Sequence, residues 1–228
     1  DVVTIPALFL ASKLIGDGNV TATLAWLTIA LTVATLLATV RSRLVQFRQI
    51  VRESLPVLTV ALLLSTLAGI AVEKRLAMFA ALPALLILQP AFVSSAGALG
   101  GILSSRVATN LHLGLVEPEM QPGREARRDA LLVLLIGFPV FLFNGVGADL
   151  VARALGSASP GLVQMVAASM IGGLAAVLFV IALAYYGTIS AWRFDVDPDT
   201  YGIPVVTASV DFVGVVALIV TVVALGIA

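Results

Sequence analysis

Long apolar runs, separated by short charged linkers, make up most of this chain. A shorter apolar run occupies residues 2–15. Full-length runs lie at about 20–40, 55–73, 77–103, 129–150, 161–187 and 203–228. A helix needs about 20 apolar residues to cross a bilayer, and the runs are too long and too uniform for barrel strands. The sequence therefore predicts an all-α, polytopic bundle of transmembrane helices in a cellular membrane, in contact with lipid.

The composition excludes several classes of protein. Hydrophobic residues make up 60% of the chain and charged residues 11%, whereas soluble domains have about 45–50% and 25%. The net charge is zero, which does not fit a nucleic-acid-binding surface. There is no cysteine, and no nucleophile–base pair, phosphate loop or zinc motif is present. The sequence therefore predicts neither an enzyme nor a resident cofactor.

The linkers carry most of the positive charge, and they carry it unevenly. Linkers 41–53, 104–129 and 188–202 contain nine arginines. The alternate side contains only Lys74, Arg75 and Arg153. Because cytoplasmic loops of membrane proteins are enriched in Lys and Arg, the pattern places the arginine-rich linkers in the cytoplasm. The C-terminus is then predicted to lie outside, with the plasma membrane as the expected location.

Asp211 is an acid within the last apolar run, about 10 Å along the helix from Pro204. An acid at this depth costs about 2.5–3.5 kcal/mol on insertion scales. Such residues usually face a bundle interior or a water-filled path, so Asp211 is predicted to lie on an ion route. The structural alternative is an acid paired with a base, or a protonated acid that is hydrogen-bonded to a neighbour.

Other polar residues within the runs are weaker candidates for lining a path. Thr207 precedes Asp211 by one turn on the same helix face and can supply a hydroxyl, or it can bond its own backbone. Asn144, after Pro139, can face the path or form an interhelical hydrogen bond. Ser94 and Ser95 follow Pro90, which is expected to interrupt the helix and let both serines line the break.

Three alternating acids, Asp195, Asp197 and Asp199, lie at the predicted cytoplasmic mouth of the last run. They suit a solvated turn around Pro198 that begins the helix. They can also gather cations electrostatically at the mouth of a path.

Two stretches resemble the membrane domain of MgtE-type magnesium transporters and their eukaryotic solute-carrier relatives. Residues 197–214 read DPDTYGIPVVTASVDFVG, which resembles the family's D-P pair followed by P-x-x-T-x-x-x-D-x-x-G. Residues 83–114 resemble the family's second-helix signature at Pro83, Gly97 and Arg106, with Ser95 where the family usually has Asn.

The resemblance implies a five-helix membrane domain over residues 50–228 that transports divalent cations, with Mg²⁺ as the substrate. On that basis Asp211 and Thr207 are the expected metal site. Mg²⁺ requires octahedral oxygen ligands and gives up water reluctantly, so one carboxylate for each half of a path can attract a largely hydrated ion. The second half is expected from the same longer chain or from a homodimer partner.

The N-terminus resembles the start of the last helix. Residues 1–6 (DVVTIP) are similar to 199–204 (DTYGIP). Residues 1–16 are therefore expected to end the last helix of an upstream copy. Residues 17–49 then form a linker helix and a basic cytoplasmic loop before the five-helix domain. Lys13 takes the place of Asp211 in that copy.

Two other functions fit the residues. The chain can be a secondary transporter for another cation or small solute, with Asp211 as a proton or Na⁺ relay. It can also be a non-transporting membrane subunit that contributes only helix packing.

Overall fold

The computed structural model describes the backbone of residues 30, 34, 45–194 and 198–227, and their side chains except in 45–54 and 198–203. The chain divides into two compact units, residues 1–53 and 54–228. In the first unit the described residues are helical. In the second, the described residues form helices and the turns between them.

Six helices are present in the described part of the chain. They are α1 (Val45–Glu73), α2 (Leu76–Ala81), α3 (Ala84–His112), α4 (Arg124–Ala154), α5 (Leu162–Arg193) and α6 (Pro198–Ala224). All except the short α2 contain a segment long and apolar enough to cross a membrane. The all-α membrane fold is thus confirmed. The predicted span at 20–40, described only at residues 30 and 34, and the run at 2–15 remain predictions.

The predicted span 77–103 is wrong at both ends. The chain leaves helical geometry at Leu82 (φ −129°, ψ 76°), because a residue that precedes proline is pushed towards extended conformations. The spanning helix therefore begins after Pro83 and continues to His112. It is also continuous through Pro90, so the helix break expected beside Ser94 and Ser95 does not exist.

The spanning helices extend beyond their apolar runs at the end that the arginine count assigns to the cytoplasm. α4 begins at Arg124 rather than at 129, and α5 continues to Arg193 rather than ending at 187. The extra turns carry polar side chains that bind neighbouring elements. Arg193, for example, donates hydrogen bonds from Nε and from a terminal guanidinium nitrogen to the Pro118 carbonyl, at 3.0 and 2.7 Å. Hydropathy alone does not report such turns.

α3 and α5 lie side by side at the centre of the second unit. Both pack against α4 along one side and against α6 along the other. The buried core between the helices is apolar, and the rings of Phe92 and Phe141 meet in it at 5.2 Å with a 52° tilt. This arrangement leaves the outer faces of α3 and α5 uncovered by the other described helices.

Glycines set the closest approaches between helices. A methyl group on Gly100 would lie 2.6 Å from a Val206 methyl on α6 and 2.7 Å from a Val180 methyl on α5. One on Gly145 would lie 2.8 Å from the Val166 Cα and 3.0 Å from the Met165 carbonyl oxygen. Small residues allow this approach in membrane helices, where association depends on close packing.

Gly145→Ala is expected to destabilise the protein by about 1–3 kcal/mol, the usual cost of overpacking. The contacts at this position are backbone atoms of α5, which cannot rotate away. Thermal unfolding of the purified protein measures the effect. Gly147→Ala is the matched control, because a methyl group there meets nothing within 4 Å. A Gly145→Ala variant as stable as Gly147→Ala would contradict the close crossing of α4 and α5.

Candidate functional site

Polar residues of α3 and α6 lie at a common depth. α3 and α6 pack side by side, and Gly97 faces the Thr207 methyl group, 4.0 Å from a Cβ built on the glycine. Further along the same interface, Gly214 faces Val93, with a corresponding distance of 3.5 Å. Asp211 falls between these two contact levels on α6. Ser94 falls between them on α3, so Asp211 and Ser94 occupy the same layer.

Asp211 is half-buried in this layer. Its Oδ2 accepts a hydrogen bond of 3.1 Å from the hydroxyl of Ser65, which lies on the exposed surface of α1. Asp211 lies within the membrane-spanning segment Pro204–Ala224 and Ser65 within Leu55–Glu73. The carboxylate therefore lies away from both ends of its helix and retains partial exposure.

Two further aspartates, Asp129 and Asp149, lie in the spanning helix α4, and both have arginine partners. Asp129 pairs with Arg106 and Asp149 with Arg153. In the described part of the chain Asp211 forms no ion pair. Base pairing, one of the structural explanations for an intramembrane acid, therefore accounts for Asp129 and Asp149 but not for Asp211.

Asp129 joins α3 to α4 near the C-terminal end of α3 and the N-terminal end of α4. Its Oδ1 accepts hydrogen bonds from the Nε and from a terminal guanidinium nitrogen of Arg106, at 2.9 and 2.6 Å. Its Oδ2 accepts one of 3.0 Å from the Asn110 amide. The Asp129 side chain is 5% exposed and that of Arg106 is 52% exposed. This carboxylate is thus enclosed and fully used in helix packing.

Asp149 is fully buried at the opposite end of α4. Its Oδ1 accepts a 2.6 Å hydrogen bond from Ser159 in the α4–α5 loop. Its Oδ2 lies 2.7 Å from the Arg153 Nε, one turn along the helix. That second contact is an ion pair without hydrogen-bond alignment, since Oδ2 receives no hydrogen bond from the described residues. Asp149 therefore holds the loop to the helix end.

Asn144 and Ser95 are brought together by α4 and α3. The Asn144 amide nitrogen donates to the Ser95 hydroxyl at 2.9 Å and to the Ala91 carbonyl at 3.3 Å. The interhelical hydrogen bond weighed as the alternative for Asn144 is therefore present. Ser95 adjoins Ser94, so the pair lies at about the depth of Asp211, with Asn144 half-buried.

Thr207 and Ser94 complete the layer. The Thr207 hydroxyl donates to the Pro204 carbonyl at 3.1 Å, which corresponds to the backbone bond considered for it, and the side chain is half-buried beside Gly97. Ser94 is exposed on the outer face of α3. Asp195 and Asp197 lie outside the described residues, and only the helical backbone of Asp199 is described.

Asn144→Leu is expected to reduce stability by about 1 kcal/mol or less, the usual value of an interhelical hydrogen bond in a membrane. Ser95→Ala should reduce stability by a similar amount. The double variant should lose less than the sum, because both changes remove the same Asn144–Ser95 hydrogen bond. Thermal unfolding of the three variants gives the coupling, with the exposed Ser94→Ala as control. Additive effects of the two changes would contradict a stabilising bond.

A model of the MgtE family, described as a divalent cation transporter, matches residues 89–221. The match covers more than half of the chain and extends from the second turn of α3 to the last turn of α6. The chain belongs to the MgtE family. Membership indicates divalent cation transport, in agreement with the expectation from the two signature stretches. Comparisons with curated proteins and with solved structures give no match.

The MgtE match contains every member of the polar layer except Ser65. Sequence reasoning selected Asp211, Thr207, Asn144, Ser94 and Ser95, and these five lie in that layer. It did not select Ser65, which is one hydroxyl among many in the apolar runs. It also did not select Asp149, although an arginine four residues later is a recognisable pairing signal.

Proposed function

We propose that this MgtE protein moves Mg²⁺ along the outer face of α3 beside α6, with Asp211 as the carboxylate that attracts the ion. The observation that carries the proposal is the contrast among the acids. Asp129 and Asp149 each have an arginine, whereas Asp211 is half-exposed within a membrane-spanning segment and has no basic partner among the described residues. Its negative charge is available to a cation.

A largely hydrated ion suits the chemistry of this layer. In the described residues no group of three or more His, Asp or Glu side chains is placed to hold a metal. Mg²⁺ usually keeps several waters and binds through one or two carboxylates. Hydroxyl and amide groups at Ser94, Thr207 and Asn144 can contact those waters. A single carboxylate also avoids binding the ion too tightly for it to leave.

The path requires a second wall. Ser94 is exposed on the outer face of α3, and the helices described in this unit leave that face uncovered. We place a second five-helix half there, supplied by the same longer chain or by a homodimer partner. Such a half would enclose the layer and exclude lipid from Asp211, because an ionised acid is costly in hydrocarbon.

Growth rescue and divalent-ion uptake in a host deficient in Mg²⁺ import test the proposal. The wild type is expected to restore growth and take up Mg²⁺, while Asp211→Asn does neither despite normal insertion. Rescue by Asp211→Asn equal to the wild type would remove Asp211 from the path. Uptake of another cation or small solute that depends on a proton gradient, without uptake of Mg²⁺, would instead favour a secondary transporter in which Asp211 relays protons.

A further inference from the structure

A groove lies between α4 and α5, on the side of the bundle away from the polar layer. Its volume is about 370 Å³, within the range of about 300–1,000 Å³ of ligand sites. Its lining is apolar, with Leu134, Phe138, Ile171 and Leu174 among the residues around it. The floor includes Gly137 and Gly173, and the ring of Phe141 packs directly over Gly173.

The groove lies on one side of the close crossing of α4 and α5. Its α4 residues precede Gly145 and its α5 residues follow Val166, so all of them lie on the same side of the close α4–α5 crossing. That side leads to the helix ends at Arg124 and Arg193. Leu134 is about 9 Å along α4 from Arg128, and a leaflet is about 15 Å deep in hydrocarbon. An acyl chain from the near interface reaches the Leu134 end of the groove.

An arginine cluster lies at the start of α4, on the exposed face that adjoins the groove at Leu135 and Phe138. Arg124, Arg127 and Arg128 are all exposed. At 3.6 residues per turn they align with the exposed apolar residues further along the helix, which are Leu131, Leu135, Phe138 and Leu142. Glu125 falls to one side of this stripe. The described part of the chain provides no ion pair for Arg124 or Arg128.

We propose that α4 and α5 form a binding site for an anionic phospholipid. The phosphate headgroup binds Arg124 and Arg128, and one acyl chain lies along the exposed stripe of α4 into the groove. Charge complementarity selects this occupant, because a neutral apolar partner would leave the arginines without a counter-charge. A second copy of the chain would bring the same positive cluster and add repulsion.

The test uses the full-length protein extracted from vesicles of phosphatidylcholine that contain phosphatidylglycerol as a minor component. Native mass spectrometry counts the retained lipids. The wild type is expected to retain phosphatidylglycerol preferentially. Each arginine near a membrane surface contributes about 1 kcal/mol towards anionic lipid, equivalent to about fivefold, so Arg124→Gln/Arg128→Gln should reduce the preference on the order of twentyfold. Lys74→Gln/Arg75→Gln removes the same charge at the other membrane face and should leave it unchanged.

A second variant tests the groove. Leu174→Trp fills it from an exposed position and should reduce retention of the bound lipid whatever its headgroup. Leu150→Trp, exposed on α4 beyond the Gly145 crossing, is the matched control and should retain lipid normally. Retention of the two lipids by the wild type in proportion to their content in the vesicles would overturn the proposal. So would a change of oligomeric state in Leu174→Trp with lipid retention intact, since that result assigns the groove to a second copy.

Discussion

Asp211→Asn is expected to reduce transport of divalent cations strongly while leaving the fold intact. Asparagine has nearly the same shape, and its side-chain oxygen can accept the hydrogen bond that Ser65 donates to Asp211. The substitution also removes the cost of placing a charge at depth, about 2.5–3.5 kcal/mol. The variant should therefore insert and unfold at a temperature equal to or above that of the wild type.

The size of the transport effect follows from electrostatics. A carboxylate about 5 Å from a divalent ion contributes roughly 6–7 kcal/mol at an effective dielectric constant of about 20. Loss of ion hydration offsets much of this. A remainder of about 2 kcal/mol still corresponds to about thirtyfold in occupancy. Initial Mg²⁺ uptake into vesicles at low Mg²⁺ concentration should fall by at least that factor, and less at saturating Mg²⁺.

Ser65→Ala is the matched control for this experiment. It removes the one hydrogen bond that the structure shows on the Asp211 carboxylate and leaves the charge in place. Uptake should change by less than about fivefold, since a hydrogen bond to a charged group contributes about 1.5–3 kcal/mol before water replaces the hydroxyl at this exposed position. If Ser65→Ala and Asp211→Asn reduce uptake equally, the carboxylate acts through its bond to α1 and not through its charge.

Hydropathy was sufficient for the fold because each spanning helix must satisfy its backbone within a long apolar segment. It failed where other forces set the boundary. The start of α3 depends on the proline at 83, and the extra turns of α4 and α5 depend on polar contacts such as that of Arg193 with the Pro118 carbonyl. The sequence predicts a helix break at Pro90, but α3 is continuous there. One missing hydrogen bond does not end a helix that is packed on three sides.

Five members of the polar layer were predictable one residue at a time, since each is a polar side chain within an apolar run, whereas Ser65 was not selected. Their common depth was not predictable, because it depends on the register between α3, α4 and α6, which the glycine contacts set. The sequence also does not show which of the aspartates have arginine partners. Asp149 has an arginine in its own helix, but the partner of Asp129 is Arg106 on another helix. Only the assembled bundle separates these acids from Asp211, which has no basic partner among the described residues.

Arg106→Leu is expected to be the most destabilising of the proposed substitutions. It leaves the Asp129 carboxylate, 5% exposed, with only the Asn110 amide as a partner. Removing one member of a buried pair costs about 3–5 kcal/mol. Asp129→Asn should cost less, because the half-exposed Arg106 can turn to water. Thermal unfolding and the yield of folded protein measure this asymmetry, and an Arg106→Leu variant no less stable than Asp129→Asn would contradict it.

The double variant Arg106→Leu/Asp129→Asn tests whether the Arg106–Asp129 pair serves the fold or the transport path. It removes both charges and keeps an oxygen that can accept the Asn110 hydrogen bond, so its stability should return close to that of Asp129→Asn. Arg106 is part of the signature that resembles the MgtE family, yet its side chain binds Asp129 and so holds α3 to α4. Mg²⁺ uptake should therefore recover together with folding in the double variant. Failure of uptake in a stably folded double variant would instead place the Arg106–Asp129 pair on the transport path.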